Sequence, residues 1–493
     1  MNVFLTGATG FIGRALVLAL LKEGHGVMAW VRSPGRARSQ LGESVELLTF
    51  LPDEETGLTA ALERCDAVIN LAGEPLFEKR WNARRKRAFS DSRVSMTARL
   101  VRAVKRARRK PRVLISGSAV GYYGDRGCES LTEQAGPGTD FLAELCEAWE
   151  SATESIDVAE TRIVSLRTGI VLGQGGGALE RLASIFRLGL GGPLGPGSQF
   201  VPWIHLQDCV SMILHALHDH RLKGPVNLVA PAPVTNLELT RSLGRVLSRP
   251  VFLRAPRFML RVVLGEAASS LLSSQRCYPD KATACGFSFQ FPDLDTALDD
   301  LLGPGEVSLA PLGSNFPSPM GDSDYLRRRR PDRILVSRVV IDAPLEDVFP
   351  FFSQPTNLGL LTPPRMGFRI LRADQRMQSG AAIEYELRVF GLKIGWETLI
   401  EQWEDGHHFV DSQARGPYRS WWHEHHFRED GGQTVMEDRV YYALPGRILG
   451  RLAHRLFVGH QLRSAFNYRA AAVRFRFGPA PENNPPPSHE EHA

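Results

Sequence analysis

The segment Val3-Phe-Leu-Thr-Gly-Ala-Thr-Gly-Phe-Ile-Gly13 constrains this chain more than any other part of it. Residues 3–5 are apolar and read as a buried strand, and an amphipathic helix is expected to follow to about Glu23, with Gly24 placed to end it. Between them stand Gly7, Gly10 and Gly13. The first permits a tight turn, the second lets the backbone approach a phosphate, and the third lets the helix pack close to the strand. A helix N-terminus adds unpaired N–H donors and the positive end of a dipole. These are the parts that hold a dinucleotide pyrophosphate, and the strand–turn–helix context lifts the glycine pattern above coincidence.

Residues 26–31 read as the second strand. Its end would ordinarily carry an acidic residue that holds the two hydroxyls of the adenosine ribose. Here Arg32-Ser33 stands in that place, with Arg36 and Arg38 beyond. A guanidinium pairs with a 2′-phosphate where a carboxylate repels it, so the expected cofactor is NADP (NADPH), with Arg32 as the discriminating residue.

With 493 residues the chain is long enough for two or three domains, and its 43% apolar and 23% charged content is that of an ordinary soluble globular protein. A net charge of +5 does not call for nucleic acid. The basic runs at 79–112 and 327–330 read as wet helix faces and a boundary cluster, so no nucleic-acid partner is expected. The six cysteines are scattered without a CxxC pair, which implies reduced thiols rather than a disulfide frame or zinc site. The N-terminus runs straight into a strand, and no uncharged apolar stretch is long enough to span a bilayer. A cytoplasmic protein without a transmembrane segment is expected.

Alternating apolar strands and helices continue through the first half, with strands at 67–72, 112–116 and 163–167, and imply a doubly wound parallel α/β sheet. From Gly173 glycine and proline become dense and read as loops feeding a substrate region, with helices at 209–218 and 236–247 and a last helix to about Leu302. Residues 303–332 read as a linker. A second unit then opens with a strand at 333–341 and a short helix at 343–352. Five strands follow, at 382–389, 394–403, 408–413, 418–427 and 434–442, and then a long amphipathic helix over 446–474. The last fifteen residues, 479–493, have the composition of a disordered tail.

Several motifs carry a resemblance. Thr6-Gly-Ala-Thr-Gly-Phe-Ile-Gly13, Asn70-Leu-Ala-Gly-Glu-Pro75, Asp91-Ser-Arg93, Ser116-Gly-Ser-Ala-Val-Gly-Tyr-Tyr-Gly124, Arg167-Thr-Gly-Ile-Val-Leu-Gly173, Pro202-Trp-Ile-His205 and Pro233-Val-Thr-Asn236 lie across residues 1–302. This region resembles the atypical, epimerase-like branch of the extended short-chain dehydrogenase/reductases, the NAD-dependent epimerase/dehydratase family. The resemblance implies a Rossmann-type fold, with Gly7, Ala8, Thr9, Gly10, Phe11 and Ile12, and Leu71, Ala72, Gly73 and Glu74, along the cofactor. Residues 333–478 resemble the START-like cyclase/dehydrase (SRPBCC) superfamily through Leu361-Thr-Pro-Pro364, Gly416-Pro-Tyr-Arg419 and the β-rich block before the last helix. That likeness implies an α+β helix-grip fold around an apolar cavity.

The parent superfamily moves a proton through a tyrosine whose pKa is lowered by a lysine four residues later, beside a serine that holds the reacting oxygen. Ser118 stands at the serine's place, but none of the nine tyrosines has a lysine four residues on; the expected position holds Phe141 and Leu145. Nothing then brings a tyrosine from about 10 toward neutrality. Two readings stay open. In one, another group serves as proton donor, Tyr122 first, with Tyr123, Cys146 and His205 as alternatives, and the chain is an NADP-dependent epimerase or reductase acting on a small molecule. In the other, it is a sensor or scaffold that binds the nucleotide without turnover. In the second unit Trp396, Trp403, Trp421, Trp422, Phe427, Tyr441 and Tyr442 fall on strands, where part of them could line a pocket for an apolar substrate. His423 and His425 share one strand face and His426 takes the other; with no nearby cysteine or paired carboxylate to complete a site, no metal site is expected.

Overall fold

Seven apolar strands of the first half pair in parallel: β1 (Asn2–Thr6), β2 (Gly26–Trp30), β3 (Val45–Leu48), β4 (Ala67–Asn70), β5 (Val113–Ala119), β6 (Arg162–Thr168) and β7 (Gly224–Leu228). The structure, a computed structural model, describes residues 1–51, 54–157, 160–303, 307–313, 318–321, 323–374, 376–389 and 392–478. The strand order β7-β6-β5-β4-β1-β2-β3 reverses direction between β4 and β1. In an open α/β sheet a ligand crevice forms outside the strand ends at such a reversal. Successive side chains of β1 alternate between two cores. Val3 and Leu5 pack with α1 (Phe11–Lys22) and the helix Leu206–His218, while Phe4 packs with Leu58, Leu62, Leu100 and Val104 of two helices on the other face. The sheet is covered on both sides, as the run of β-branched and leucine residues requires.

The glycine-dense stretch after Gly173 is less irregular than its composition implies. A helix, α2 (Gly177–Arg187), forms there because Leu179, Ala183 and Phe186 recur at helical spacing and are buried, Leu179 and Phe186 in a cluster with Trp203 and Leu239. Two short helices, Arg257–Leu264 and Ala267–Leu272, had no sequence counterpart in the reading above.

The second half builds an eight-stranded antiparallel sheet from β8 (Val307–Pro311), β9 (Arg333–Ile341), β10 (Arg369–Ala373), β11 (Ala382–Val389), β12 (Leu392–Glu404), β13 (His408–Arg415), β14 (Ser420–Asp430) and β15 (Gln433–Ala443). The segment expected to be a linker is corrected in two places. Val307 and Leu309 alternate into the core as strand β8 against β9. Tyr325 and Leu326 cover the outer face of β14, where Tyr325 Oη accepts a hydrogen bond from the Trp421 amide at 2.9 Å. The long final helix is broken into Arg447–Ala453, a π-helical turn His454–Val458, and α3 (Gly459–Phe477). Leu462, Phe466, Ala470, Val473 and Phe477 of α3 face the sheet. The expected disordered tail lies outside the described residues.

α3 also lies on α1. Leu18 of α1 belongs to the second half's core, with Ala470 and Ala472. Arg14, 2% exposed, donates from Nη2 to the carbonyls of Gly359 at 2.5 Å and Thr362 at 3.1 Å. Gly359 is needed at its place because a Cβ there would fall 1.4 Å from the Ser39 carbonyl oxygen. Replacing Arg14 by leucine leaves these carbonyls buried without a donor. The expected loss is about 2 kcal/mol, the range for a charged hydrogen-bond donor removed from the interior. Urea unfolding of Arg14→Leu against wild type measures it.

Candidate nucleotide and catalytic site

The crevice at the β4–β1 reversal is lined by glycine backbone. Gly7 follows β1 with φ +73°, and a Cβ on it would stand 2.7 Å from the Leu71 carbonyl. A Cβ on Gly13 would stand 2.1 Å from the Gly7 oxygen, so α1 sits as close to the loop as a backbone allows. Gly10 donates its amide to the Gly7 oxygen at 2.9 Å and caps α1 without any side-chain acceptor. The first-turn amides near Phe11 and Ile12 are therefore not capped by a side chain, and no acidic residue stands in that turn. The chemistry and space fit a pyrophosphate.

A buried hydrogen-bond chain fixes the other lip. Thr6 Oγ1 donates to Asn70 Oδ1 at 2.6 Å and accepts from the Ala72 amide at 3.2 Å. Asn70 Nδ2 and Trp149 Nε1 both donate to Thr97 Oγ1, at 2.8 and 2.9 Å. Arg93 donates to the Glu74 carbonyl at 3.0 Å and stacks over Trp149, while Ser92 Oγ accepts from the Glu74 amide at 3.0 Å. Leu71, Ala72, Gly73 and Glu74 are thus held in one path. Arg93 has a positioning role that the sequence offered only as part of a motif. Arg32 lies two residues beyond Trp30, which pairs with Thr6 in register, so it stands at the same sheet edge as the glycine turn. It is exposed, and among the described residues no carboxylate pairs with it. Arg38 is instead committed to the carbonyls of Gly42 and Val45, at 2.8 and 2.9 Å.

Ser118 and Tyr122 come together at the end of β5, joined by two residues the sequence reading did not select. Ser118 Oγ donates to Glu150 Oε1 at 2.6 Å. Arg167 grips the same carboxylate through Nε at 2.9 Å and Nη2 at 2.8 Å. Its guanidinium carbon lies 3.5 Å from the Tyr122 ring centroid, and Nη1 donates to Tyr123 Oη at 3.1 Å. Glu150 comes from the helix Phe141–Ser151, the one that carries Phe141 and Leu145 at the expected tyrosine and lysine places.

The three alternative donors stand elsewhere or are disarmed. Tyr123 is fully buried and donates to Asn227 at 2.7 Å, with its pKa raised by burial. Burial pushes the Cys146 thiol up to about 12, far from a reactive thiolate. His205 caps the helix Leu206–His218, accepting from the Gln207 amide at 3.1 Å, and stacks on Phe291.

A separate cavity of about 290 Å³ lies in the second half between the antiparallel sheet and α3. Trp396, Trp403 and Trp421 line it, whereas Trp422 and Tyr441 face the opposite side of the sheet. His423 and His425 reach the cavity and His426 does not, as alternation along β14 requires. The expectation that no paired carboxylate stands with these histidines is corrected. Strand register places Asp411 opposite His423 and Asp438 opposite His425. Sequence distance hid both, because the partners lie on neighbouring strands.

A model of the NAD dependent epimerase/dehydratase family matches residues 3–228, and one for a domain of unknown function (DUF1731) matches 255–301. The bovine epimerase family protein SDR39U1 is 39% identical over 307 residues, 61% of this chain and 100% of that relative. This chain belongs to that epimerase family. A chloroplastic SDR39U1 homologue of Arabidopsis thaliana is 38% identical over 60% of this chain and 86% of its own length. The crystal structure of human SDR39U1 with NADPH shares 35% identity and a TM-score of 0.56, covering 61% of this chain and 99% of that one. The family likeness thus covers the parallel-sheet half. Among the described residues no helix is long and apolar enough to cross a membrane.

Two outcomes test this geometry. Gly13→Ala pushes α1 off the glycine turn and is expected to lower nicotinamide-nucleotide affinity at least tenfold, read by calorimetry, at a stability cost of about 1–3 kcal/mol. Glu150→Gln leaves the buried Arg167 without its counter-charge and is expected to destabilise the fold by about 3 kcal/mol, read by urea unfolding.

Proposed function

We propose that residues 1–302 bind NADPH and act on the carbonyl/alcohol group of a small molecule, while residues 333–478 form a START-like helix-grip unit that holds an apolar molecule. The observation that carries the first part is the glycine cradle at the sheet reversal, where added Cβ atoms on Gly7 and Gly13 would strike backbone. The family description and the NADPH in the human SDR39U1 crystal support it. Gly7, Ala8, Thr9, Gly10, Phe11 and Ile12 would follow the pyrophosphate, Leu71 to Glu74 the adjoining ribose, and Arg32 the 2′-phosphate. When bound, the nicotinamide supplies or accepts a hydride.

The proton would take a path that replaces the missing tyrosine–lysine pair. Ser118 Oγ holds the reacting oxygen and takes its proton while passing its own to Glu150, the acceptor already 2.6 Å away. Arg167 holds that carboxylate in place, and Tyr122 lies across the guanidinium at the same cleft. A second reading, a nucleotide sensor without turnover, draws support from the same absence of the tyrosine–lysine pair. The six free cysteines fit a reducing compartment such as the cytoplasm.

Calorimetry with NADPH and NADH tests the cofactor. Wild type is expected to prefer NADPH, and Arg32→Asp to weaken it 10–100-fold, about 1.5–3 kcal/mol for a charged phosphate contact. Loss of nicotinamide absorbance with a panel of carbonyl substrates, abolished in Ser118→Ala, establishes turnover; tight binding without turnover across the panel establishes the sensor. For the second half, Ala465→Trp fills the cavity and is expected to abolish binding of an apolar fluorescent probe while NADPH affinity is unchanged.

A further inference from the structure

The cavity in the second half has a polar floor that the nucleotide chemistry does not use. His423 and His425 are alternate residues of β14, so both rings enter the cavity from one strand face, with ring centroids 3.8 Å apart. Asp411 reaches the same point from β13. Its Oδ2 lies 3.5 Å from His423 Nδ1 and 3.0 Å from His425 Nε2. All three donor atoms fall within 4.8 Å of one another. A first-row divalent ion sits about 2.0–2.2 Å from nitrogen and oxygen ligands, which sets neighbouring ligands about 3.0–3.5 Å apart at octahedral or tetrahedral angles. The observed separations from Asp411 fall in that interval.

The far side of both rings is equally ordered. Asp438, on β15, places Oδ1 3.2 Å from His423 Nε2 and 2.8 Å from His425 Nδ1. A carboxylate on the far side of the ring is the arrangement found behind metal-bound histidines. Arg469 Nε stands 3.5 Å from the other Asp438 oxygen, and its Nη2 lies 3.2 Å from His425 Nδ1. Across the rings from Asp438, His423 Nδ1 and His425 Nε2 both face the Asp411 carboxylate. Two imidazole nitrogens and a carboxylate oxygen then converge at the cavity floor, an arrangement that a cation between them stabilises.

We propose that Asp411, His423 and His425 bind a divalent first-row transition metal, zinc or ferrous iron, at the floor of the cavity, with Asp438 as the carboxylate behind both rings. Three protein ligands leave coordination positions open. The same three side chains line the cavity beside Trp396, Trp421 and Phe466. The molecule accepted there is therefore an apolar one carrying an oxygen donor, such as a carboxylate or a hydroxyl. This inference does not depend on nucleotide binding in the first half.

The full chain, stripped with chelator and dialysed, is titrated with Zn²⁺ by calorimetry and, without oxygen, with Fe²⁺. One equivalent per chain is expected. X-ray absorption of the zinc-loaded wild type is expected to show two imidazole nitrogens with oxygen completing the shell, a reading that needs no variant. Asp411→Asn and His425→Gln should each lower affinity at least 100-fold, and Asp438→Asn by 10–100-fold. Near-ultraviolet circular dichroism checks that each variant keeps its packed aromatic core. His218→Gln, in the separate cluster of Glu23, His25 and His218, should change nothing. Failure of wild type to take up either metal stoichiometrically overturns the site. So does uptake that survives Asp411→Asn and His425→Gln, or that is lost with His218→Gln. In those cases Asp411 is simply the hydrogen-bond acceptor of a protonated His425 Nε2.

Discussion

The close approach of α1 to the loop that precedes it is the constraint on which the rest of the molecule turns. Gly13 lies so near the Gly7 carbonyl that a single added carbon would collide at 2.1 Å. This contact sets the direction in which the first-turn amides point, and one residue later it sets where Arg14 goes. The guanidinium enters the interior and is held by carbonyls near the Leu358–Leu361 helix, more than three hundred residues downstream. One helix therefore presents its N-terminus to the crevice and its outer flank to the second half. The nucleotide cradle and the interface between halves are two consequences of one packing distance.

Elements whose signal is local were legible in the sequence. β9 matches residues 333–341 because its apolar alternation is read residue by residue, and β1 with α1 follows from the glycine spacing. The linker reading failed where the pairing signal was distant. Val307 and Leu309 form a strand only because Leu335 and Ser337 lie opposite them. Glycine density concealed α2, whose buried residues Leu179, Ala183 and Phe186 are interrupted by charged ones. Composition reports propensity, and tertiary burial overrode it.

The candidate sites divide in the same way. The glycine turn and Ser118 stand within motifs, so their positions could be read directly. Arg167 stood only as the first residue of a motif, and its partner Glu150 could not be read, since it comes from a separate helix. Asp411 and Asp438 were invisible for a related reason. Cross-strand partners are set by register, and register depends on turns and bulges that no local pattern reports.

Leu18 carries a consequence for how such a chain could have arisen. It is 2% exposed here only because Ala470 and Ala472 of the last helix lie over it. The bovine relative is matched over its whole length by 61% of this chain, so it has no counterpart to the remainder. Without the second half, Leu18 and the Arg14 guanidinium would stand on the outer flank of the first helix. Cutting the gene at the junction would leave a sticky, charged seam on that flank, close to the coenzyme cleft.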